Sequence, residues 1–466
     1  MLYYSLSQQS PIADFKTATI NGQAPDGGLY FPQVIPRLKA EWLHGLKHHS
    51  REAIAYEVIS PFVGQTIPAD ALQQIVRETI DFPIPLEKIN DSIYSLELFH
   101  GPTLAFKDIG ARFMSRCLGY FARGESRRIT VLVATSGDTG GAVASGFHNV
   151  EGVDVVILYP SGKVSSVQEK QLTTLGKNIH ALEVSGTFDV VILYPSGKVS
   201  SVQEKQLTTF GDNIHALEVQ GNFDDCQKMV KQAFTDKELT SKIFLTSANS
   251  INVARWLPQQ FYYFFALQQW AFDEPPVFSV PSGNFGNICA GLMAWAAGLP
   301  VKQFIAACNA NDVVYQFMQT GNYNPKQAVP TISNAMDVGN PSNFIRILEI
   351  FHQQSIDLKS MLSAYSTTDQ RTRELILQVY KEYNYLLDPH GAVGYDALQW
   401  YQQMHPAEKG IILETAHPIK FLDVVEPVIG ETIPVPAAIA DTLKKEKAAT
   451  LITNEYAALK NYLLLG

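Results

Sequence analysis

Three short stretches carry residue types and spacings suited to chemistry, and each lies where a strand-like run gives way to a helix-like one. That junction is where open α/β sheets bind ligands. The first is Phe99–Asp108, FHGPTLAFKD, which places Lys107 beside Phe106 after Gly-Pro-Thr. A helix start disfavours an ammonium, so it lowers the pKa of such a lysine and suits it to imine formation with an aldehyde. An ordinary surface lysine is the competing reading. The second stretch is Val280–Asn287, VPSGNFGN, directly after the run VFSV. Its glycines let the backbone approach an anion, and the following helix turns free N–H groups and a positive dipole end toward it. It reads as a phosphate cradle that lacks the lysine of a P-loop, or else as a tight turn. The third is Thr135–Gly141, TSGDTGG, after ITVLVA. Its hydroxyls and N–H groups suit a carboxylate, and Asp138 or Thr139 also reads as a helix N-cap.

An imine-forming lysine, a phosphate cradle and a carboxylate nest are together what pyridoxal phosphate bound to an amino acid requires. The conjunction says more than any one loop. The elements that must position these loops alternate. Strand-like runs fall at Ile93–Phe99, Ile129–Ala134, Val153–Leu158, Ile243–Leu245, Val277–Val280, Phe304–Ala307 and Ile411–Leu413. Helical patterns at Phe106–Phe121, Gly140–Phe147, Asp224–Phe234, Ala254–Phe272 and Gly286–Ala297 lie between them. This alternation predicts an α/β fold with parallel sheets covered on both faces. Residues 1–92 read differently, as a short β start followed by helices at Ser50–Phe62 and Ala69–Ile80, and are taken as an N-terminal domain preceding a catalytic part at 93–466. The stretch Asp312–Gln403 reads as mostly helical.

Residues Asp154–Phe188 and Asp189–Phe223 are tandem copies of one 35-residue unit. They differ only at Leu175/Phe210, Lys177/Asp212, Ser185/Gln220 and Thr187/Asn222. Nothing else in the chain has this period, and solenoids need at least three stacked units, so the repeat is a duplication and not an architecture. Each copy reads as strand, helix, strand, from VVILYP through VSSVQEKQLTT to NIHALEV. Two copies therefore compete for one place in the fold, and either one, or a mixture of the two, can fill it while the surplus loops out. Asn222 or Asp224 can cap the helix that follows, which favours the second copy at that end.

Composition narrows the function classes. The chain has 466 residues, with 36 Lys+Arg against 45 Asp+Glu, a net charge of −9. That balance argues against a nucleic-acid binder, which needs a basic face. Cys117, Cys226, Cys289 and Cys308 form neither a disulfide framework nor a CxxC metal pair, so no metal is expected. The start, MLYYS, lacks a signal-peptide pattern, and no run of about 18 apolar residues is present, so no membrane partner is expected. The expectation is a soluble, cytoplasmic protein.

The chain resembles the threonine synthases of bacterial and fungal type, pyridoxal-phosphate enzymes of fold-type II (tryptophan synthase β-like). The matching segments run in order: APDGGLYFP (Ala24–Pro32), LFHGPTLAFKDIGARFM (Leu98–Met114), ATSGDTGGA (Ala134–Ala142), ILYPSGKVS in both copies, SANSINVAR (Ser247–Arg255), VPSGNFGN, SNAMDVGNPSN (Ser333–Asn343), DPHGAVG (Asp388–Gly394) and ETAHPIKF (Glu414–Phe421). The resemblance implies two parallel or mixed αβα sheet domains with the active site between them, plus the N-terminal domain. It implies a carbon–oxygen lyase that turns O-phospho-L-homoserine and water into L-threonine and phosphate. Lys107 then matches the Schiff-base lysine, with Phe106 beside it. Gly283, Asn284, Phe285, Gly286 and Asn287 match the cofactor-phosphate loop. Thr415 matches the hydroxyl residue beside the pyridine nitrogen, which a neutral group leaves unprotonated. Thr135, Ser136, Asp138 and Thr139 match the loop for the substrate carboxylate and cofactor face. Asn249, Ser250 and Arg255 match the substrate-phosphate site, together with a P-x-G-K lysine that is either Lys163 or Lys198. For Arg255 a surface ion pair is the competing reading. A related phospho-lyase or dehydratase, or a cofactor-binding but inactive protein, is the alternative function. A monomer or homodimer is expected.

Overall fold

The computed structural model describes residues 1–123, 129–134, 138–147, 150, 153–160, 190–195, 214–220, 223–242, 244–437, 439–440 and 450–465. The chain divides into two compact units, neither of them continuous in sequence. The first comprises Met1–Ile12, Phe31–Phe106 and Trp256–Ile433, the second Ala13–Tyr30, Lys107–Arg255 and Pro434–Gly466. Besides a small sheet of Leu2–Ser5, Ala13–Asp14 and Tyr30–Pro32, the two larger sheets are built from β1 (Leu86–Lys88), β2 (Ile93–Glu97), β3 (Ile129–Ala134), β4 (Val153–Pro160), β5 (Val190–Pro195), β6 (Ile214–Gln220), β7 (Phe244–Ser247), β8 (Val277–Pro281), β9 (Gln303–Cys308), β10 (Leu362–Ser366), β11 (Gly410–Glu414) and β12 (Thr450–Thr453).

In the first unit the order is β10-β9-β8-β11-β2-β1. All pairs are parallel except β1 with β2 at the edge. Every residue of β8 (VFSVP) and β11 (GIILE) is buried, the mark of strands covered on both faces. The helix Gly286–Ala296 leaves β8 and is buried along nearly its whole length. Its midpoint must be glycine, because a Cβ on Gly291 would sit 2.5 Å from the Tyr263 ring and 2.7 Å from the Phe304 ring. Tyr263, Phe278 and Phe304 pack mutually with centroids 5.0–5.8 Å apart, each such pair contributing about 0.5–1.5 kcal/mol beyond its buried area.

In the second unit the order is β7-β3-β4-β6-β12, all parallel. The helices Lys107–Ala122 and Asp138–Phe147 pack together, and Gly146 permits it, since its Cβ would lie 3.0–3.2 Å from Ala111. The helix Phe15–Asn21 buries Phe15 against Phe113 and Phe121.

The repeat leaves its mark on this sheet. Val133 and Ala134 of β3 pair with Ile157 and Leu158 of the first copy and also with Ile192 and Leu193 of the second, positions equivalent between the copies. On the other side, Leu217 pairs with Leu158, and Ala216 with Ile192, which is again one register. β4 and β5 thus meet β3 and β6 in one register. The β4 ladder with β3 runs from Ile129↔Val153 to Ala134↔Leu158, while β5 matches only its last two steps.

The seven strand-like runs outside the repeat's later segments lie in strands, as do VVILYP of both copies and IHALEV of the second, while NIHALEV of the first copy and VSSVQEKQLTT of both lie outside the described residues. The helix expected at Ala254–Phe272 is instead broken into Val253–Trp256, a 3₁₀ turn at Leu257–Gln259 and Gln260–Gln269. Pro258 supplies no N–H at the break. The stretch 312–403 is mostly helical, as expected, and also holds β10. Asp224 lies inside the helix Phe223–Thr235 and so does not cap it, and Asn222 is outside the described residues. Among the described residues, no helix is long and apolar enough to cross a membrane.

Candidate active site

In the first unit, β8 ends at Pro281 and the loop Ser282-Gly283-Asn284-Phe285 leads into the helix that begins at Gly286. Phe285 is left-handed at φ 60°, a conformation that L residues rarely adopt, and so the loop is strained where it meets the helix. Gly283 lies against the chain at Met336, where a Cβ would come within 2.6 Å of its Cα. The Asn284 side-chain oxygen accepts the N–H of Ser342 at 2.6 Å, and its carbonyl accepts the Asn343 side chain at 2.9 Å. Two sequence motifs, VPSGNFGN and SNAMDVGNPSN, are thereby brought together. Asp337 braces the second motif through bonds from the side chains of Asn309, Asn311 and Thr331 and from the Thr331 N–H. Burial pushes its carboxyl up to about 7, opposed by those donated bonds.

The stretch before the lysine is also anchored within the first unit. Leu104 is left-handed at φ 57°. The Phe106 N–H donates to the Thr415 carbonyl at 2.8 Å, Ala105 bridges Ala416, and the His417 N–H donates to the Leu104 carbonyl at 3.0 Å. The buried Lys420 ammonium donates to the Thr103 carbonyl at 2.8 Å. The Tyr262 hydroxyl donates to the Phe106 carbonyl. Residues 103–106 are therefore strapped along 415–420, although the two segments lie more than 300 positions apart. Thr415 is buried, and its backbone serves the strap, which leaves the hydroxyl outside it. Burial and the neighbouring His100 push the His417 imidazole down to about 4, so the ring is neutral and its Nδ1 accepts the Ile419 N–H.

The second unit begins its middle segment with Lys107 itself, half-buried at the first position of the helix Lys107–Ala122. The Arg255 guanidinium donates to the Lys107 carbonyl at 2.8 Å. Arg255 is only 3% exposed, which overturns the surface-ion-pair reading. Gly110 makes the approach possible, as a Cβ there would meet the Arg255 carbonyl at 2.4 Å. Asn249 and Ser250 are half-buried in the turn ahead of Arg255, and the Asn249 N–H is bonded to Ser247. Asp138 is buried and Thr139 half-buried. Both lie in the first turn of the helix Asp138–Phe147 rather than ahead of it as caps. A carboxylate in that turn complements the helix dipole. Thr135, Ser136, Lys163 and Lys198 lie outside the described residues.

The residues present in the loop at 283–287 fit a phosphate-bearing cofactor. A strained residue sits at a helix N-terminus, where orphan N–H groups point outward. The Asn287 side-chain oxygen accepts from Tyr263, while its buried NH₂ finds no partner in the protein. Such a donor suits a phosphate oxygen. Tyr262, Tyr263, Asp337 and Asn343 were not singled out by sequence reasoning, since each acts through a bond to a distant segment. Among the described residues, no cluster of His, Cys, Asp or Glu is arranged to hold a metal ion.

Comparison with known proteins shows the family. Residues 2–80 match the family described as threonine synthase N terminus, 184–413 match pyridoxal-phosphate dependent enzyme, and 391–463 match threonine synthase, C-terminal. Lys107 precedes the second of these matches but is spanned by full-length relatives. The threonine synthase of Haemophilus influenzae is 40% identical over 470 residues, covering 100% of both chains, and that of Escherichia coli 38% identical over 466 residues, covering 100% of this chain and 99% of the other. The crystal structure of Escherichia coli threonine synthase superimposes with a TM-score of 0.88 at 38% identity, covering 100% of both chains. The PLP-bound threonine synthase of Brucella melitensis does so with 0.83 at 34% identity, covering 99% of this chain and 98% of the other. The chain belongs to the threonine synthase family of fold-type II, pyridoxal-phosphate-dependent enzymes.

Proposed function

We propose that the chain converts O-phospho-L-homoserine and water into L-threonine and phosphate. The observation that carries this reading is the loop at 283–287, with its strained Phe285 and the unpartnered Asn287 amide, whose motif occurs in one chain with the lysine motif around Lys107. Gly283, Asn284, Phe285, Gly286 and Asn287 would hold the cofactor phosphate, and the Thr415 hydroxyl would meet the pyridine nitrogen. Pyridoxal phosphate, when bound, accepts electron density from the carbon that carries the substrate amine.

The protein's own groups do the rest. Thr135, Ser136 and Thr139 bind the substrate carboxylate, while Asp138 and Phe106 face the cofactor. Lys107 carries protons at the substrate Cα and Cβ. Arg255, Asn249 and Ser250 meet the phosphate that leaves from Cγ, and Arg does so through a planar fork with two parallel donors. A lysine of the P-x-G-K segment adds a second cation there. Replacing Lys107 with Ala should abolish turnover and the visible absorbance of the lysine-bound cofactor, read by spectrophotometry and phosphate release. Turnover within tenfold of wild type would remove Lys107 from the chemistry.

We further propose that the two copies are interchangeable claimants to one site, so that Lys163 or Lys198 serves and one copy is surplus. The shared register of β4 and β5 supports this, and so does the family match that begins at residue 184 and runs through the second copy. Residues 1–92 are read as an N-terminal domain, the oligomer as monomer or homodimer, and the compartment as the cytoplasm.

A further inference from the structure

The catalytic reading leaves unused a buried acidic cluster directly behind Thr415. Glu414 ends β11 and is fully buried, as is Asp388, the N-cap of the helix Pro389–Met404. The Asp388 N–H donates to Glu414 Oε1 at 2.6 Å. Asp388 Oδ1 accepts the His390 N–H at 2.7 Å and lies 2.5 Å from His390 Nδ1. Asp388 Oδ2, Glu414 Oε2 and His390 Nε2 are all buried without partners in the protein. Two carboxyl oxygens cannot bond each other when both side chains are ionised, because each can only accept. One added proton turns one of them into a donor. The helix is also tightly fitted over the pair, since a Cβ on Gly391 would fall 1.5 Å from Glu414 Oε2.

We propose that Glu414 and Asp388 hold one proton between them as a carboxylic acid–carboxylate pair, and that this pair positions the adjoining Thr415. Two buried like charges in contact cannot both ionise cheaply, and sharing a proton satisfies both orphan oxygens in one bond. Burial, and then Asp388, push the Glu414 carboxyl well above the ordinary range, in agreement. Among the described residues the one base in contact with the pair is His390, on the Asp388 side, and it carries a charge only when protonated. β2 places Glu97 opposite Glu414 in register, and Glu97 accepts from Tyr385 at 2.9 Å and faces His100 at 2.7 Å. Beyond these stand Asp388 itself, His390 and the neutral His417. Because Thr415 is the next residue and its carbonyl anchors Phe106, a shift of Glu414 moves both the hydroxyl and the strap. The positioning role rests on the reading of Thr415 as the residue at the pyridine nitrogen.

The test uses the cofactor-loaded protein and infrared difference spectroscopy at pH 8. Wild type should show the carbonyl band of a protonated carboxylic acid, and E414Q should lack it. A carboxyl protonated in the fold but ionised when unfolded favours folding at low pH, and that stability is lost as pH rises above the unfolded range of about 4. The thermal midpoint of E414Q should therefore fall less with rising pH than that of wild type. Gln retains a donor for Asp388, so its cofactor absorbance and kcat should stay within about threefold of wild type, while E414L should shift the absorbance and lower kcat about tenfold. An absent band in wild type, an unchanged band in E414Q, or an E414L spectrum identical to wild type would overturn the proposal. Failure of the functional reading looks different, with the band present but no phosphate released.

Discussion

The two main sheets were built by the same rules and differ in how their positions are filled. In the sheet of the first unit each position has a single claimant, and close contacts fix its loops. Gly283 against Met336 and Gly391 against Glu414 leave no room for an alternative. In the sheet of the second unit two strands of identical sequence, VVILYP of β4 and VVILYP of β5, meet the same neighbours in the same register. A slot in a parallel sheet selects for pattern and neighbours rather than for place in the chain. Sequence identity therefore produces ambiguity wherever contacts do not break it.

The largest effect that tests this contrast comes from the duplicated lysines. Lys163→Ala and Lys198→Ala should each lower kcat/KM only a few-fold if the copies interchange, while the double variant should lose ~10²-fold, the scale of removing a preorganised group that meets developing charge. One dead single variant would show that only that copy serves. In the first unit, where no alternative exists, Gly283→Ala should weaken cofactor binding about tenfold, since an overpacked site costs ~1–3 kcal/mol, and a cofactor titration measures it. Unchanged affinity would show that the loop is less constrained than its contact with Met336 implies. The smallest effect belongs to deletion of residues 154–188. Closure entropy changes by only ~0.6 kcal/mol per doubling of a loop, so activity should stay within about twofold. A dead deletion variant would make both copies necessary.

Much of the fold was legible because buried parallel strands read as unbroken apolar runs, as in VFSV, ITVLVA and VVILYP. The strands missed lie at edges. LSAYS of β10 holds two serines and is only partly covered, and LEK of β1 carries two charges. The candidate site divided similarly. The loop 283–287 and Thr415 sit at the ends of readable strands and Lys107 at the start of a readable helix, so their positions followed from the pattern. Arg255 was legible as a residue but not as a buried one, because the contact that buries it is with the carbonyl of Lys107, 148 positions away. Glu414 was hidden for the same reason. A charged residue closing a strand reads as exposed, and only Asp388 and Gly391, brought over it by the helix, show that it is not.

The most direct test of the central claim is the product balance of the purified, cofactor-loaded protein given O-phospho-L-homoserine. Phosphate and L-threonine should appear in equal amounts, with no ammonia. Phosphate without threonine, or release of ammonia from threonine or serine with no action on the phosphorylated substrate, would contradict it.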